Sequence, residues 1–296
     1  MKPAPFDYLD PPDLDGVLAA LAEHGDDALV IGGGQSLVPL LNLRLARPEI
    51  VVDPRRVAGL DTITVGPDRV DIGARVTASE LLEHAALATA MPGLLEAAAD
   101  IGHVQIRNRT TVGGSIAHAD PAAELPAALV ALDGTVVLRS ASGERVVAAA
   151  DFFEGAFLTT RRPDELLTAV RLPVPAGRSG WLEQARRPGD FALVGVFATF
   201  DADGAGGPDV VASVTIALSG VGSRPVRATE AEGLLIGRPI STATIDAAAA
   251  AVSGGVDPTD DVHATGRHRA ALAGALTARL LTRLAGLTRQ TDGSRA

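Results

Sequence analysis

Arg107-Asn108-Arg109-Thr110-Thr111-Val112-Gly113-Gly114-Ser115 runs without a break into Ile116-Ala117-His118-Ala119-Asp120-Pro121-Ala122-Ala123-Glu124-Leu125-Pro126. Adjacent glycines permit positive φ and let a ligand approach the backbone N–H groups, and successive N–H groups in such a turn make a concave anion site. The same residues also suit an ordinary tight turn. Asp120 before Pro121 reads as a helix N-cap, opening an apolar helix from Pro121 to Leu132 with Glu124 one turn further on. His118 has no Asp–Ser or metal-ligand set around it, so it reads as structural or partner-facing.

A second glycine loop lies upstream, at Ile31-Gly32-Gly33-Gly34-Gln35-Ser36-Leu37. A short buried strand, Ala28 to Ile31, feeds it. Gln35 and Ser36 add side-chain donors. Taken together, two Gly-Gly turns with hydroxyls beside them suit a pyrophosphate pinched from both sides. A carboxylate at Glu124 then stands ready to accept hydrogen bonds from ribityl or ribose hydroxyls. Neither loop has the G-x-G-x-x-G spacing or the Lys of a P-loop, which argues against a Rossmann dehydrogenase and a P-loop nucleotidase.

Outward from the loops, Asp13 to His24 has Leu14, Val17, Leu18 and Leu21 on one helical face. Glu49 to Val52 is a short strand. Thr62 to Val65 and Arg69 to Ile72 read as a hairpin, as do Thr135 to Leu138 and Glu144 to Val147. Ser79 reads as the N-cap of a helix through Leu87, and Met91 to Asp100 as helical. Pro173 to Gly180, rich in Pro and Gly, marks a domain boundary. Beyond it, Trp181 to Arg186, Leu193 to Phe200 and Val210 to Leu218 read as antiparallel strands. Val226 to Leu235, Ser241 to Val252 and Arg267 to Leu284 read as helices, and residues 288–296 as a disordered tail.

Composition bounds the function. The 296 residues are 47% hydrophobic and 21% charged, as in an ordinary globular protein. A net charge of −10 without a basic cluster argues against a nucleic-acid binder. The pairs Arg55-Arg56, Arg161-Arg162 and Arg186-Arg187 are isolated, each a solvated turn or a local anion contact. No Cys is present, so the chain itself holds no disulfide, thiolate metal site or iron–sulfur cluster. No apolar run reaches membrane-spanning length, and the expected location is the cytoplasm.

Three motifs in order resemble one family. Gly32 to Leu37 resembles an A-G-G-Q/H-S-L flavin loop. Arg107 to Ser115, with its H-A-D-P-A-A-E-L-P continuation at 118–126, resembles R-N-x-x-T-I-G-G-N/S. Arg186-Arg187-Pro188-Gly189-Asp190-Phe191-Ala192 resembles R-R-x-G-D-F/Y-A. By this resemblance the chain is similar to the FAD-binding medium subunit of the molybdenum hydroxylases of the carbon monoxide/xanthine dehydrogenase type. The implied fold class is α+β. A two-subdomain vanillyl-alcohol-oxidase-like (PCMH-type) FAD-binding domain spans 1–176, with subdomains of about 1–55 and 56–176. A C-terminal domain at 177–287 follows, with a three-stranded antiparallel sheet and a helical bundle.

The resemblance implies noncovalent FAD held by Gly32, Gly33, Gly34, Gln35, Ser36 and Leu37 on one side. Thr110, Thr111, Val112, Gly113, Gly114 and Ser115 hold it on the other, with Asp120 nearby and Glu124 at the ribityl-contact position. Ile101 and Leu167 fall at apolar cofactor contacts, and Asp190 and Phe191 near the isoalloxazine. Phe191 packs against the ring or is a core residue of a strand. Some members carry a Lys shortly before the Arg pair; in Trp181-Leu182-Glu183-Gln184-Ala185 its position is taken by Glu183. The implied partners are a large molybdopterin-binding subunit and a small [2Fe–2S] subunit. Electrons from the clusters reach FAD and pass to a quinone, NAD or oxygen, with no catalytic side chain and no metal on this chain. The alternatives are a stand-alone flavoenzyme acting on a small molecule and an assembly protein with a vestigial flavin site.

Overall fold

The computed structural model describes residues 2–202 and 209–287; the tail expected at 288–296 lies outside the described residues. Among the described residues, three larger sheets follow one another along the chain, with a two-stranded hairpin beside the second. The first is parallel, with strand order β1-β3-β2, from β1 (Asp7–Leu9), β2 (Ala28–Val30) and β3 (Ile50–Val52). Helix α1 (Leu14–His24) connects β1 to β2. It begins where the Asp13 side chain accepts the Gly16 N–H, satisfying a donor the first turn leaves free. Its Val17, Leu18 and Leu21 are the buried stripe expected from the spacing, packed near Val52, Val57 and Leu166. Helix α2 (Leu37–Asn42) then follows the first glycine loop.

The second sheet is antiparallel. Its order is β4-β5-β10-β6-β7, from β4 (Ile63–Val65), β5 (Arg69–Gly73), β6 (Thr135–Ser140), β7 (Gly143–Ala148) and, last in sequence but central in space, β10 (Leu166–Pro173). Both expected hairpins are present. Between β5 and β6 come α3 (Ala78–Glu83), α4 (Ala85–Ala90), α5 (Pro92–Asp100), α6 (Val104–Arg107), α7 (Val112–His118) and α8 (Glu124–Ala131). Between β7 and β10 lie α9 (Ala149–Phe152) and the small hairpin of β8 (Phe153–Gly155) and β9 (Leu158–Thr159). The N-cap expected at Ser79 is Thr77. Its hydroxyl accepts from Glu80 N while Glu80 Oε2 accepts from Thr77 N, a reciprocal capping box that Ser79 cannot make.

The third sheet holds β11 (Arg178–Ala185), β12 (Ala192–Asp201), β13 (Ser213–Ser219) and β14 (Val226–Arg227), with α10 (Thr229–Leu235), α11 (Thr242–Gly255) and α12 (Gly266–Ala285) after it. Among the described residues it has four strands, where three were expected. Val226 and Arg227, read from sequence as helix, pair with Leu218 and Ala217, and the helix begins only at Thr229. The expected strand start at Val210 moves to Ser213, because Val210 bridges Pro239 instead. Helix α5 packs against β11 with no room for a side chain: a Cβ on Gly93 meets the Gly180 nitrogen at 2.6 Å. Trp181, Phe197 and Ala217 join the same apolar cluster as Leu94, Ala97 and Leu129, so α5 and α8 share their core with both antiparallel sheets.

Candidate functional site

Where β2 ends, Ile31 N–H still reaches the Val52 carbonyl at 2.9 Å; the chain then leaves the sheet. Gly34 has φ 75°, which only glycine adopts at low cost, and its carbonyl accepts the Val38 N–H at 3.0 Å. The N–H groups of Gly32, Gly33, Gly34, Gln35 and Ser36 have no acceptor among the described residues. Five successive backbone donors in a short loop form the anion-binding concavity expected there.

The second segment is built differently. Gly113 and Gly114 lie in the first turn of α7, and neither has positive φ. Their N–H groups are already used: Gly113 donates to the Ala74 carbonyl at 2.8 Å and Gly114 to Thr111 Oγ1 at 3.1 Å. These glycines serve close packing. A Cβ on Gly113 stands 2.5 Å from Ala74 Cβ, and one on Gly32 stands 2.6 Å from Thr111 Oγ1. A Cβ on Gly33 falls on the Arg109 carbonyl. The symmetric pinch expected from two glycine turns is therefore corrected: the first loop offers the free donors, and the second braces it. Val112 is the one expected contact that turns away. Its side chain is in the core and its N–H bonds the Val76 carbonyl.

The other expected residues meet at one cavity of about 550 Å³, within the range of small-molecule sites. Gly32 to Leu37, Thr110, Thr111 and Gly113 to Ser115 line it, with Ile101, Asp120, Glu124, Leu167, Asp190 and Phe191. Leu29, Leu40, Leu60 and Ile106 extend its apolar wall. Sequence reading missed Arg75 and Arg161 in this lining. Arg161 belongs to a pair whose local-anion reading was one of two available; burial lowers its pKa, and it donates to the Glu165 carbonyl at 2.7 Å. Nearby, burial pushes the Glu165 carboxyl up. Arg145, through Nε at 2.9 Å and Nη2 at 2.7 Å, and the Arg162 N–H outweigh this and hold it below the usual range. That clamp sets the start of β10, where Leu166 and Leu167 enter the cavity wall.

Asp120 is not the N-cap of α8. The helix starts later, at Glu124, and Asp120 Oδ1 instead accepts the Ala122 N–H at 2.9 Å, a turn that competes with helix formation. Glu124 becomes the first helical residue and is only 9% exposed. Burial raises its carboxyl to about 7, and the charges of Asp100 and Asp120 add to the shift. No side chain among the described residues hydrogen-bonds it; its own backbone N–H faces the carboxyl, which keeps further capacity to accept from hydroxyl donors in the cavity. His118 packs its ring on Phe157, centroids 5.0 Å apart, and lines the cavity. Phe191 is 74% exposed, which overturns the core reading. Gly189, at φ 81°, turns the chain so that Asp190 and Phe191 face the cavity mouth.

Residues 4–175 match the family described as FAD binding domain in molybdopterin dehydrogenase, and residues 182–284 match the CO dehydrogenase flavoprotein C-terminal domain. The chain belongs to this flavoprotein family. As a member it is a flavin-dependent oxidoreductase of the CO dehydrogenase type, with FAD as cofactor. It is 40% identical over 99% of both chains to the 6-hydroxypseudooxynicotine dehydrogenase complex subunit alpha of Paenarthrobacter nicotinovorans. It is 34% identical to the carbon monoxide dehydrogenase medium chain of Afipia carboxidovorans, covering 96% of this chain and 98% of that one. Among solved structures, quinoline 2-oxidoreductase from Pseudomonas putida 86 superposes with a TM-score of 0.91 at 36% identity, covering 97% of this chain and 99% of that one.

The residues present fit FAD. Free N–H donors suit the pyrophosphate, an apolar wall suits the ring system, and a buried carboxyl that no side chain bonds suits the polyol hydroxyls. No helix among the described residues of this CO dehydrogenase-type flavoprotein is long and apolar enough to cross a membrane.

Proposed function

We propose that this chain is the medium subunit of a molybdenum hydroxylase, accepting electrons from [2Fe–2S] clusters of a small partner and passing them to an external quinone, NAD or oxygen. A large partner carrying molybdopterin oxidises the substrate, and the complex works in the cytoplasm. On this reading residues 1–176 hold FAD and 177–287 form the C-terminal domain.

Near-complete coverage of a relative named as one subunit of a dehydrogenase complex carries the proposal. The chain has a flavin site, but it has no Cys for a cluster, and among the described residues no His/Cys/Asp/Glu group is suited to a metal. Bound FAD supplies the redox chemistry. The protein's own tasks are to bind and orient it. The N–H groups of Gly32 to Ser36 hold the pyrophosphate, with Leu37, Thr110, Thr111 and Gly113 to Ser115 shaping the cradle. Ile101 and Leu167 exclude water, Glu124 accepts from the ribityl chain with Asp120 beside it, and Asp190 and Phe191 close the mouth.

Purification from the native host tests this. Co-elution with a molybdenum subunit and an iron–sulfur subunit is expected, with FAD released by acid precipitation. Isolation of the chain alone, with its flavin reduced directly by a small substrate, replaces the proposal by a stand-alone flavoenzyme. A native protein that is colourless and gains no flavin on incubation with FAD leaves only an assembly role.

A further inference from the structure

Behind the cavity, three elements bring carboxyl groups together. Helix α5 ends at Asp100, next to Ile101 of the cavity wall. Helix α8 begins at Glu124. Strand β11 carries Glu183, with Trp181 two residues earlier and therefore on the same face. Glu96, one turn before Asp100, is already satisfied: its Oε2 accepts the Trp181 backbone N–H at 2.7 Å and Arg283 Nη2 at 2.6 Å. Arg107, the cation facing Asp100, gives Nη1 to the carbonyls of Ile101 and Gly102. Neither Glu124 nor Glu183 joins an ion pair among the described residues.

Two further observations point into this cluster. Glu183 Oε2 is buried without a hydrogen-bond partner. Trp181 is 2% exposed, and its indole N–H interacts with Asp100 and Glu183 but completes a hydrogen bond to neither. The group is not arranged as a metal site among the described residues. Glu124 is buried and Glu183 keeps an oxygen buried without a donor, and no cation balances either among the described residues, so the two do not both ionise fully at neutral pH.

We propose that Asp100, Glu124 and Glu183 form a proton-sharing site that holds one proton at neutral pH and takes up a further share from solvent when negative charge arrives in the adjoining cavity. The second half rests on FAD occupying that cavity. Asp100 reaches solvent, Glu183 is half-buried, and Glu124 is buried and lines the cavity, so exposure falls from the first to the last. Burial raises Glu183 to about 8, with the charges of Glu124 and Asp100 adding to it; Asp100, open to solvent on one side, is raised by the partial burial of its other side and by the charge of Glu96. The chemistry balances simply. Electrons come from an external reductant, dithionite in the test, and remain on the flavin. The proton comes from water and forms one O–H bond on a carboxyl oxygen.

Two measurements test the site separately from the flavin reading. Infrared titration of the flavin-free protein across about pH 5–10 is expected to show a protonated carboxyl band at neutral pH that fades as pH rises through about 8. Glu183→Gln is expected to lose the component near 8 and leave only that of Glu124 near 7, and Glu183→Lys, with a charge of opposite sign, to lose it independently should the first variant fold poorly. In flavin-loaded protein, reduction in weakly buffered solution with a pH indicator is expected to take up more protons in the wild type than in either variant. A wild-type infrared profile without a carboxyl titrating near neutrality overturns the site, as does one unchanged in both variants. Equal proton uptake on reduction overturns the coupling. Failure of the wild type to bind FAD overturns the cavity reading while leaving the infrared result to judge the carboxyls.

Discussion

Gly33 and Arg109 are in backbone contact: a Cβ on Gly33 would fall on the Arg109 carbonyl. The two glycine segments thus make one structure, and a change at either distorts both. Alanine at Gly33 forces backbone apart, and its effect is expected on folding as well as on cofactor. Gly33→Ala should lower the melting temperature and lose bound flavin. Gly114→Ala crowds Thr111 Oγ1, at 2.7 Å, and stands in ordinary contact with Gly33 N at 4.0 Å; it should fold while holding less FAD. Thermal melts and the ratio of flavin to protein absorbance distinguish the two outcomes.

Thr111 both caps α7 and abuts Gly32. Thr111→Val keeps the shape and removes the acceptor for the Gly114 N–H. A loss of about 1 kcal/mol is expected, read by urea denaturation, together with weaker FAD binding because the brace behind the donor loop loosens. Unchanged affinity would show that the brace plays no part in binding.

Glu124 gives FAD binding a pH dependence. Its carboxyl is raised to about 7 in the free protein, and hydroxyl donors from the ligand favour the ionised form. The pKa in the complex is then lower, so affinity should rise as pH increases toward about 7 and level off above it. Without ligand the sign is opposite. The folded state holds its proton more tightly than the unfolded chain, so stability should fall as pH rises from the ordinary carboxyl range to about 7. Glu124→Gln should flatten both profiles, as measured by fluorescence titration and by melting temperature against pH.

Glu165 behaves in the reverse sense. Its pKa is held down in the fold, so its contribution is present above the ordinary carboxyl pKa and disappears as pH falls through the depressed value. Glu165→Ala also leaves Arg145 without its bidentate partner. A loss of about 3 kcal/mol is expected at neutral pH, shrinking in acid, in urea unfolding curves of both proteins.

Phe191 stands 74% exposed at the cavity mouth and holds no core together. Phe191→Ser is expected to change stability by less than about 0.5 kcal/mol while opening the bound flavin to solvent. Faster quenching of flavin fluorescence by iodide reads this directly, and an unchanged quenching rate would place Phe191 away from the ring.

Much of the site was legible because its parts are local. Gly32 to Leu37 and Arg107 to Ser115 are each contiguous, and a strand running into glycine signals a loop whose donors are free. The first loop has those donors. The second resembled it in composition but was drawn into α7, because Thr111 supplies a cap and Ala74 and Val76 supply acceptors from other segments. Asp120 failed as an N-cap for a related reason: its own turn to Ala122 competes with the helix. Val226 and Arg227 read as helix because nothing nearby in sequence marks them as partners of Leu218 and Ala217.

The sequence by itself determined the family, the strand-fed donor loop, the absence of a cysteine-bound cluster and half of the residues that line the cavity, since motifs and composition survive without coordinates. Only the tertiary structure decided which glycines are free to receive a ligand and which are merely packed, that Arg161 reaches the cavity, and that Asp100, Glu124 and Glu183 gather around an unpartnered indole. Those properties depend on what lies across the gap. Hydrogen-bond satisfaction and the ionisation of a buried carboxyl are set by neighbours distant in sequence, and folding alone brings them within range.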